Sequence, residues 1–184
     1  IITAFPTCES LTYKKFFKPN PDNLIREYID SDYIAITQKP DYKSDPNWIN
    51  EDRRKDFIND NNLKFLRDYQ INAIKSLQDA VKENKSRFLF EMATVTGKTR
   101  VAAGVIKLVL RTGNVKRVLF LVDRLELEDQ AWKNFVKYLK NDYKCVIYKE
   151  NRDDWKKAEI VVSTVQSFLF NNKYRDLFSP TDFD

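Results

Sequence analysis

Histidine is missing from this 184-residue chain, and glycine, cysteine and methionine are scarce, at three, two and one residues. Without histidine, and with only Cys8 and Cys145 far apart, a zinc site lacks its usual ligands. A disulfide scaffold is equally disfavoured, and the two cysteines read as free thiols of a cytoplasmic protein. So few glycines leave few positions that can be forced into left-handed backbone, and each asks for a separate reason. No apolar run approaches the ~20 residues that span a bilayer. No basic-then-apolar leader is visible either, so no membrane partner is expected.

What is present suffices for a packed core: 42% hydrophobic and 32% charged residues. The formal charge is +5 and the pI about 9.0, a mild basicity that fits a nucleic-acid partner but is shared by many proteins without one. The chain opens on Ile1 and closes on Asp184, and reads as a piece of a longer protein.

Two regions differ in texture. Residues 1–61 are polar, aromatic-rich and broken by proline, and read as an extension. Asn20-Pro21-Asp22 supplies a cap, a first-turn proline and an acid, and Leu24, Ile25 and Tyr28 continue at helical spacing, predicting a helix over Pro21–Asp30. Residues 37–48 read as a loop, and Glu51 to Lys55 as a solvated helix face. From residue 62 to 184, strands and helices alternate. Helices are expected over Tyr69–Glu83, Lys98–Leu110, Glu126–Lys140 and Val165–Phe170, with Gly113 as a cap. Strands are expected over Arg87–Glu91, Arg117–Val122, Lys144–Tyr148 and Glu159–Ser163. Repeated β-then-α units imply an α/β fold, a parallel sheet flanked by helices.

One junction carries chemistry. Met92-Ala93-Thr94-Val95-Thr96-Gly97-Lys98-Thr99 stands between an expected strand and helix. A helix start offers free N–H groups and a positive dipole end to phosphate, and a tight loop converges further amides on it. Gly97 removes a blocking Cβ, Lys98 brings charge to the outer phosphates of ATP, and Thr99 offers a hydroxyl to Mg²⁺. The full pattern wants a glycine where Met92 stands. The bland alternative is an ordinary strand–turn–helix with a surface lysine.

The surrounding segments resemble superfamily-2 helicases and translocases, most closely the motor subunit of type I restriction enzymes. Glu91–Thr99 resembles their first motif, and Leu66-Arg67-Asp68-Tyr69-Gln70 their Q-motif. Phe120 to Gln130, with Val122-Asp123-Arg124 within it, resembles motif Ia, and Val162-Ser163-Thr164-Val165-Gln166-Ser167 the following strand-end segment. The likeness runs from about Leu63 onward, and Pro21 to Tyr28 resembles, more weakly, the segment preceding the motor.

The resemblance implies an incomplete RecA-like P-loop domain behind a small, mostly helical or irregular extension. It implies that Arg67, Gln70, Thr94, Thr96, Gly97, Lys98, Thr99 and Arg100 bind ATP, and that Lys98 and Thr99 take part in its hydrolysis with Thr99 on Mg²⁺. It implies that Arg124, Ser163, Thr164 and Gln166 meet the DNA backbone without reading sequence. Methyltransferase and specificity subunits are the implied partners of the parent protein. Other superfamily-2 helicases, type III restriction subunits and a noncatalytic DNA-binding remnant remain open. A small-molecule kinase is disfavoured, because it would lack the Arg67–Gln70 pair and the Val122-Asp123-Arg124 segment.

Two departures stand out. Val95 occupies a place usually held by glycine, and the family's Asp-Glu-Ala-His-type motif does not occur, although Phe178 to Asp184 is the kind of stretch that precedes it. A chain lacking that motif is expected to be catalytically incompetent alone. Pro40-Asp41 with Asp52 and Lys55 mimics a nuclease metal site, but its spacing is one residue too long, so a charged surface is the better reading.

Overall fold

The computed structural model describes residues 17–150, 155–169 and 182–184. The expectations for Cys8, for Phe170 and for the 178–181 stretch lie outside the described residues.

The extension begins as expected. Asn20 Oδ1 accepts from the Asn23 amide at 3.2 Å and Pro21 opens helix α1, Pro21–Arg26. The helix stops at Arg26 rather than Asp30, because Glu27 is extended at ψ 128°. Leu24 and Ile29 both enter the core. A continuous helix would set two residues five apart about 140° from each other, so the chain must unwind between them.

The expected loop over residues 37–48 is largely helical. It holds the second half of α2, Ala35–Gln38, then a 3-10 turn at Tyr42–Ser44 and most of α3, Pro46–Ile49, which Asp45 caps through the Asn47 amide at 2.9 Å. Each piece is about one turn long, too short to show a period. Helix α4, Glu51–Asp60, carries the charge cluster outward and buries Phe57, which joins Tyr42 and Leu63 in a small aromatic core.

The second region follows the predicted alternation from α5, Asp68–Lys82, and α6, Lys98–Arg111, onward. Then come β1, Val118–Val122; α7, Leu125–Leu139; β2, Cys145–Ile147; β3, Ile160–Thr164; and α8, Val165–Leu169. The sheet is parallel throughout, in the order β1-β3-β2, with Val122 beside Thr164 and Ile147 beside Val162. All three carboxyl ends therefore share one edge, where ligands gather in open α/β sheets. Central β3 is buried at every residue.

The expected strand Arg87–Glu91 does not form: those residues have no regular secondary structure, and Leu89 is 94% exposed. Its apolar run is strand-like, but the three-stranded sheet among the described residues offers it no hydrogen-bonding neighbour.

Helix α6 divides two cores. One face packs Val101 and Leu108 with Ile71 and Ile74 of α5 and with Leu24, Ile29, Tyr33 and Ile34 of the extension. The other packs Ala103 and Ile106 with Phe135 and Leu139 of α7 and Ile160 and Val162 of β3. Gly104 permits the close α5–α6 approach, since a Cβ there would stand 2.5 Å from Ile74 Cδ1.

The extension is thus packed into the core of the second region and hydrogen-bonded to it. Gln78 Nε2 donates to the carbonyls of Leu24 at 2.7 Å and Glu27 at 2.9 Å. Lys107, buried in α6, donates through Nζ to the Tyr33 carbonyl at 2.6 Å and to Thr37 Oγ1. Burial pushes the Lys107 pKa down, against the pull of Asp142 at 4.0 Å.

Candidate nucleotide and nucleic-acid site

The phosphate-loop residues form a turn ahead of α6. Met92 is half-buried and packs on the core beneath, while Ala93, Thr94 and Val95 are exposed. Thr96 Oγ1 donates back to the Ala93 carbonyl at 2.7 Å, closing the turn. Gly97, at φ 83° and ψ 43°, is the cap of α6 and supplies no side-chain acceptor. The first amides of a long helix are thus left without a side-chain cap, the condition under which a helix start receives an anion. Lys98 is exposed and takes part in no ion pair among the described residues; Thr99 beside it is half-buried. A Cβ on Gly97 would come within 2.6 Å of Gln70 Nε2, so glycine is required by space as well as by φ.

Gln70 is 1% exposed and spends its amide on protein. Its Oε1 accepts from the Arg67 amide at 3.1 Å, and its Nε2 donates to the Thr96 carbonyl at 2.8 Å. Tyr69 OH donates to the same carbonyl at 2.8 Å, and Arg67 Nη1 donates to Tyr69 OH at 3.4 Å. Arg67, Tyr69, Gln70, Thr96 and Gly97 are therefore one connected group. Arg100 leans away from it: its Nη1 donates to the Phe65 carbonyl at 3.1 Å, and its Nε is buried without a partner. Tyr69, within the Leu66–Gln70 motif, carries no assigned role in the sequence reading, although its place beside Gln70 is a signal.

The residues present fit a nucleotide triphosphate: an uncapped helix start, a Cβ-free approach at Gly97, and free ammonium and hydroxyl groups at Lys98 and Thr99. Among the described residues no cluster of three or more metal-ligating side chains occurs. A Mg²⁺ ion would be held by Thr99 together with phosphate oxygens and water, the usual manner for that ion.

The other candidate residues lie along the carboxyl edge of the sheet. Arg124 follows β1 as the cap residue of α7, with 75% of its side chain exposed and Asp123 at 3.7 Å. Gln166, in α8 after β3, is exposed. Ser163 and Thr164 are buried, at 0% and 2% exposure. Ser163 Oγ donates to the Thr164 carbonyl at 3.1 Å, and Thr164 Oγ1 donates to Ser167 Oγ at 2.8 Å while accepting from the Ser167 amide at 3.0 Å. Both hydroxyls hold the strand-to-helix corner, and Arg124 and Gln166 present the solvent-facing polar groups.

Behind this edge lies Glu128 of α7, at 0% exposure. Its Oε1 accepts from the Thr164 amide at 2.8 Å. Its Oε2 stands 2.7 Å from Lys149 Nζ, an ion pair rather than a well-aimed hydrogen bond. That contact raises the Lys149 pKa. In sequence, Glu128 is indistinguishable in kind from its acidic neighbours Glu126 and Asp129.

Comparison with known proteins identifies the chain's relatives. The profile of the family described as "Type III restriction enzyme, res subunit" matches residues 63–184. The type I restriction enzyme EcoAI endonuclease subunit of Escherichia coli is 41% identical over 80 residues, 44% of this chain and 10% of that protein. The EcoKI endonuclease subunit of Escherichia coli K12 is 41% identical over 66 residues, 36% of this chain and 6% of that protein. The SsaAORF53P endonuclease subunit of Staphylococcus saprophyticus is 28% identical over 112 residues, 58% of this chain and 12% of that protein. The chain thus spans about a tenth of the length of the curated relatives it matches. No solved structure matches it significantly. With more than half its length matched by the family profile, and with a parallel sheet flanked by helices as an incomplete RecA-like domain, the chain belongs to the type III restriction enzyme res-subunit family.

Proposed function

We propose that this chain is part of the motor of an ATP-dependent DNA translocase subunit in a restriction–modification enzyme. The observation that carries the reading is the joint at Gly97. A left-handed glycine opens an uncapped fourteen-residue helix beside a free Lys98, and the preceding turn is fastened to Gln70. ATP phosphates would sit on the amides of Gly97 to Thr99, with Lys98 on the outer phosphates and Thr94 and Thr96 lining the turn. Bound Mg²⁺ would neutralise developing phosphate charge, with Thr99 as its protein ligand. Arg67 and Tyr69 border the place for the base, and Gln70 sets the position of the loop beneath it. Arg100 supports the site from behind through Phe65.

DNA would be held by its backbone, at Arg124 and Gln166, with Ser163 and Thr164 shaping the corner between them. Such contacts are salt-dependent and blind to sequence. The subunits that carry methylation and specificity are the proposed partners.

Hydrolysis by the 184 residues alone is expected to be negligible. They contain no Asp-Glu pair to hold the metal and orient water, and phosphoryl transfer depends on such positioning. The test is ATP hydrolysis by the full-length parent protein with and without DNA. DNA should stimulate it, and Lys98→Ala should abolish the stimulation. An unstimulated parent, or vigorous DNA-stimulated hydrolysis by the 184-residue chain, contradicts the respective halves of this reading.

A further inference from the structure

Glu128, in the first turn of α7, ties that helix through its side chain to the end of β3 and to Lys149 beyond β2. Its own amide makes only the ordinary first backbone bond of α7, to the Arg124 carbonyl at 3.1 Å. Its Oε2 meets Lys149, after β2, at 2.7 Å, and its Oε1 takes the Thr164 amide, at the end of β3, at 2.8 Å. The side chain is wholly buried. A buried charge pair gives little net stability compared with apolar residues of the same volume, so stability alone is a poor reason for a carboxylate here. What the carboxylate does, and an apolar residue could not, is fix the Thr164 amide relative to α7. That amide sits at the corner from which Gln166 projects, while α7 begins at Arg124.

We propose that Glu128 is a positioning residue that sets the spacing between Arg124 and Gln166, and thereby their joint grip on the DNA backbone. The inference rests on the DNA-binding reading above. Lys149 keeps the buried charge compensated while its own stem reaches solvent, with 39% of its side chain exposed.

The test uses the full 184-residue chain and a labelled duplex of arbitrary sequence, read by fluorescence anisotropy at low and moderate salt. Glu128→Met fills the same space without an acceptor. Glu128→Gln keeps an oxygen for the Thr164 amide. Phe135→Leu serves as a core variant for comparison of thermal stability. Glu128→Met should weaken DNA binding about tenfold, the scale of one lost charge-assisted hydrogen bond. ATP affinity should be unchanged, and Glu128→Gln should restore DNA binding to near the original. Phe135→Leu should lower the melting temperature without altering DNA affinity. Unchanged binding by Glu128→Met, with Arg124→Ala weakened, overturns the positioning role and leaves the DNA reading standing. A loss in Glu128→Gln as large as in Glu128→Met also overturns it. Unchanged binding by both Arg124→Ala and Gln166→Ala overturns the DNA reading, and this inference with it.

Discussion

Gln70 is fastened to the phosphate loop: its Nε2 donates to the Thr96 carbonyl at 2.8 Å while its Oε1 accepts from the Arg67 amide at 3.1 Å. The glutamine that the resemblance assigns to ATP binding therefore spends both its oxygen and its nitrogen on the protein. Gln70→Ala removes both bonds and leaves Tyr69 as the remaining side-chain donor to Thr96. A side-chain hydrogen bond of this kind contributes about 1 kcal/mol, so ATP affinity should fall roughly fivefold. Titration with a fluorescent ATP analogue checks this; unchanged affinity would show that the tether does not shape the site.

Val95 sits at φ 66° with 98% of its surface exposed. A β-branched residue in the left-handed region costs about 1–2 kcal/mol, and nothing packs on this one in return. Val95→Gly should relax the loop and tighten ATP binding roughly fivefold or more. Equal or weaker binding in the same titration would mean that the loop is built around Val95 and is not strained by it.

Lys107 joins α6, whose first turn is the proposed phosphate site, to the extension. Lys107→Met strands the Tyr33 carbonyl and loses the bond to Thr37. Hydrogen bonds to charged groups are worth about 1.5–3 kcal/mol, so urea unfolding should show a loss of that order. Combined with Thr37→Val, the loss should be less than additive, because the two side chains share one bond. Strict additivity would argue that they act separately.

Cys145 is nearly buried, and burial pushes its thiol from 9.0 up to about 12. Above pH 9 the unfolded chain releases this proton while the folded chain retains it. The folded state then binds more protons, so the group's contribution to stability falls as pH rises from about 9 towards 12. Cys145→Ala should flatten that part of the curve of unfolding free energy against pH. In the native protein at neutral pH, Cys145 should resist alkylation until urea unfolds the chain.

The alternation of strands and helices after residue 62 was legible because long amphipathic helices and short apolar strands differ in period. The helix over Asp68–Lys82 and the strand over Val118–Val122 show this within one or two residues. The single-turn helices at Ala35 and Pro46 were not legible, being shorter than a period. Arg87–Glu91 misled for the opposite reason: its composition is that of a buried strand, but pairing is a property of neighbours. Lys107 and Glu128 look like solvent-facing charges in sequence, and only the packing of α6 and α7 shows them buried. Ser163 and Thr164 are polar in sequence, and only the strand-to-helix corner shows their hydroxyls buried and bonded within the protein. Gly97 stood out in sequence as one of only three glycines, set directly before Lys98, and the structure adds a left-handed φ and a crowded Cβ position at it.

The central claim is a nucleotide-phosphate site at the start of α6, and calorimetric titration of the chain with ATP and Mg²⁺, beside the Lys98→Ala variant, tests it most directly. One binding site is expected in the unaltered chain and a loss of affinity of about tenfold or more in the variant, the scale of a charge-assisted contact to phosphate. Equal affinity in the two proteins, or no binding by the unaltered chain, would contradict it.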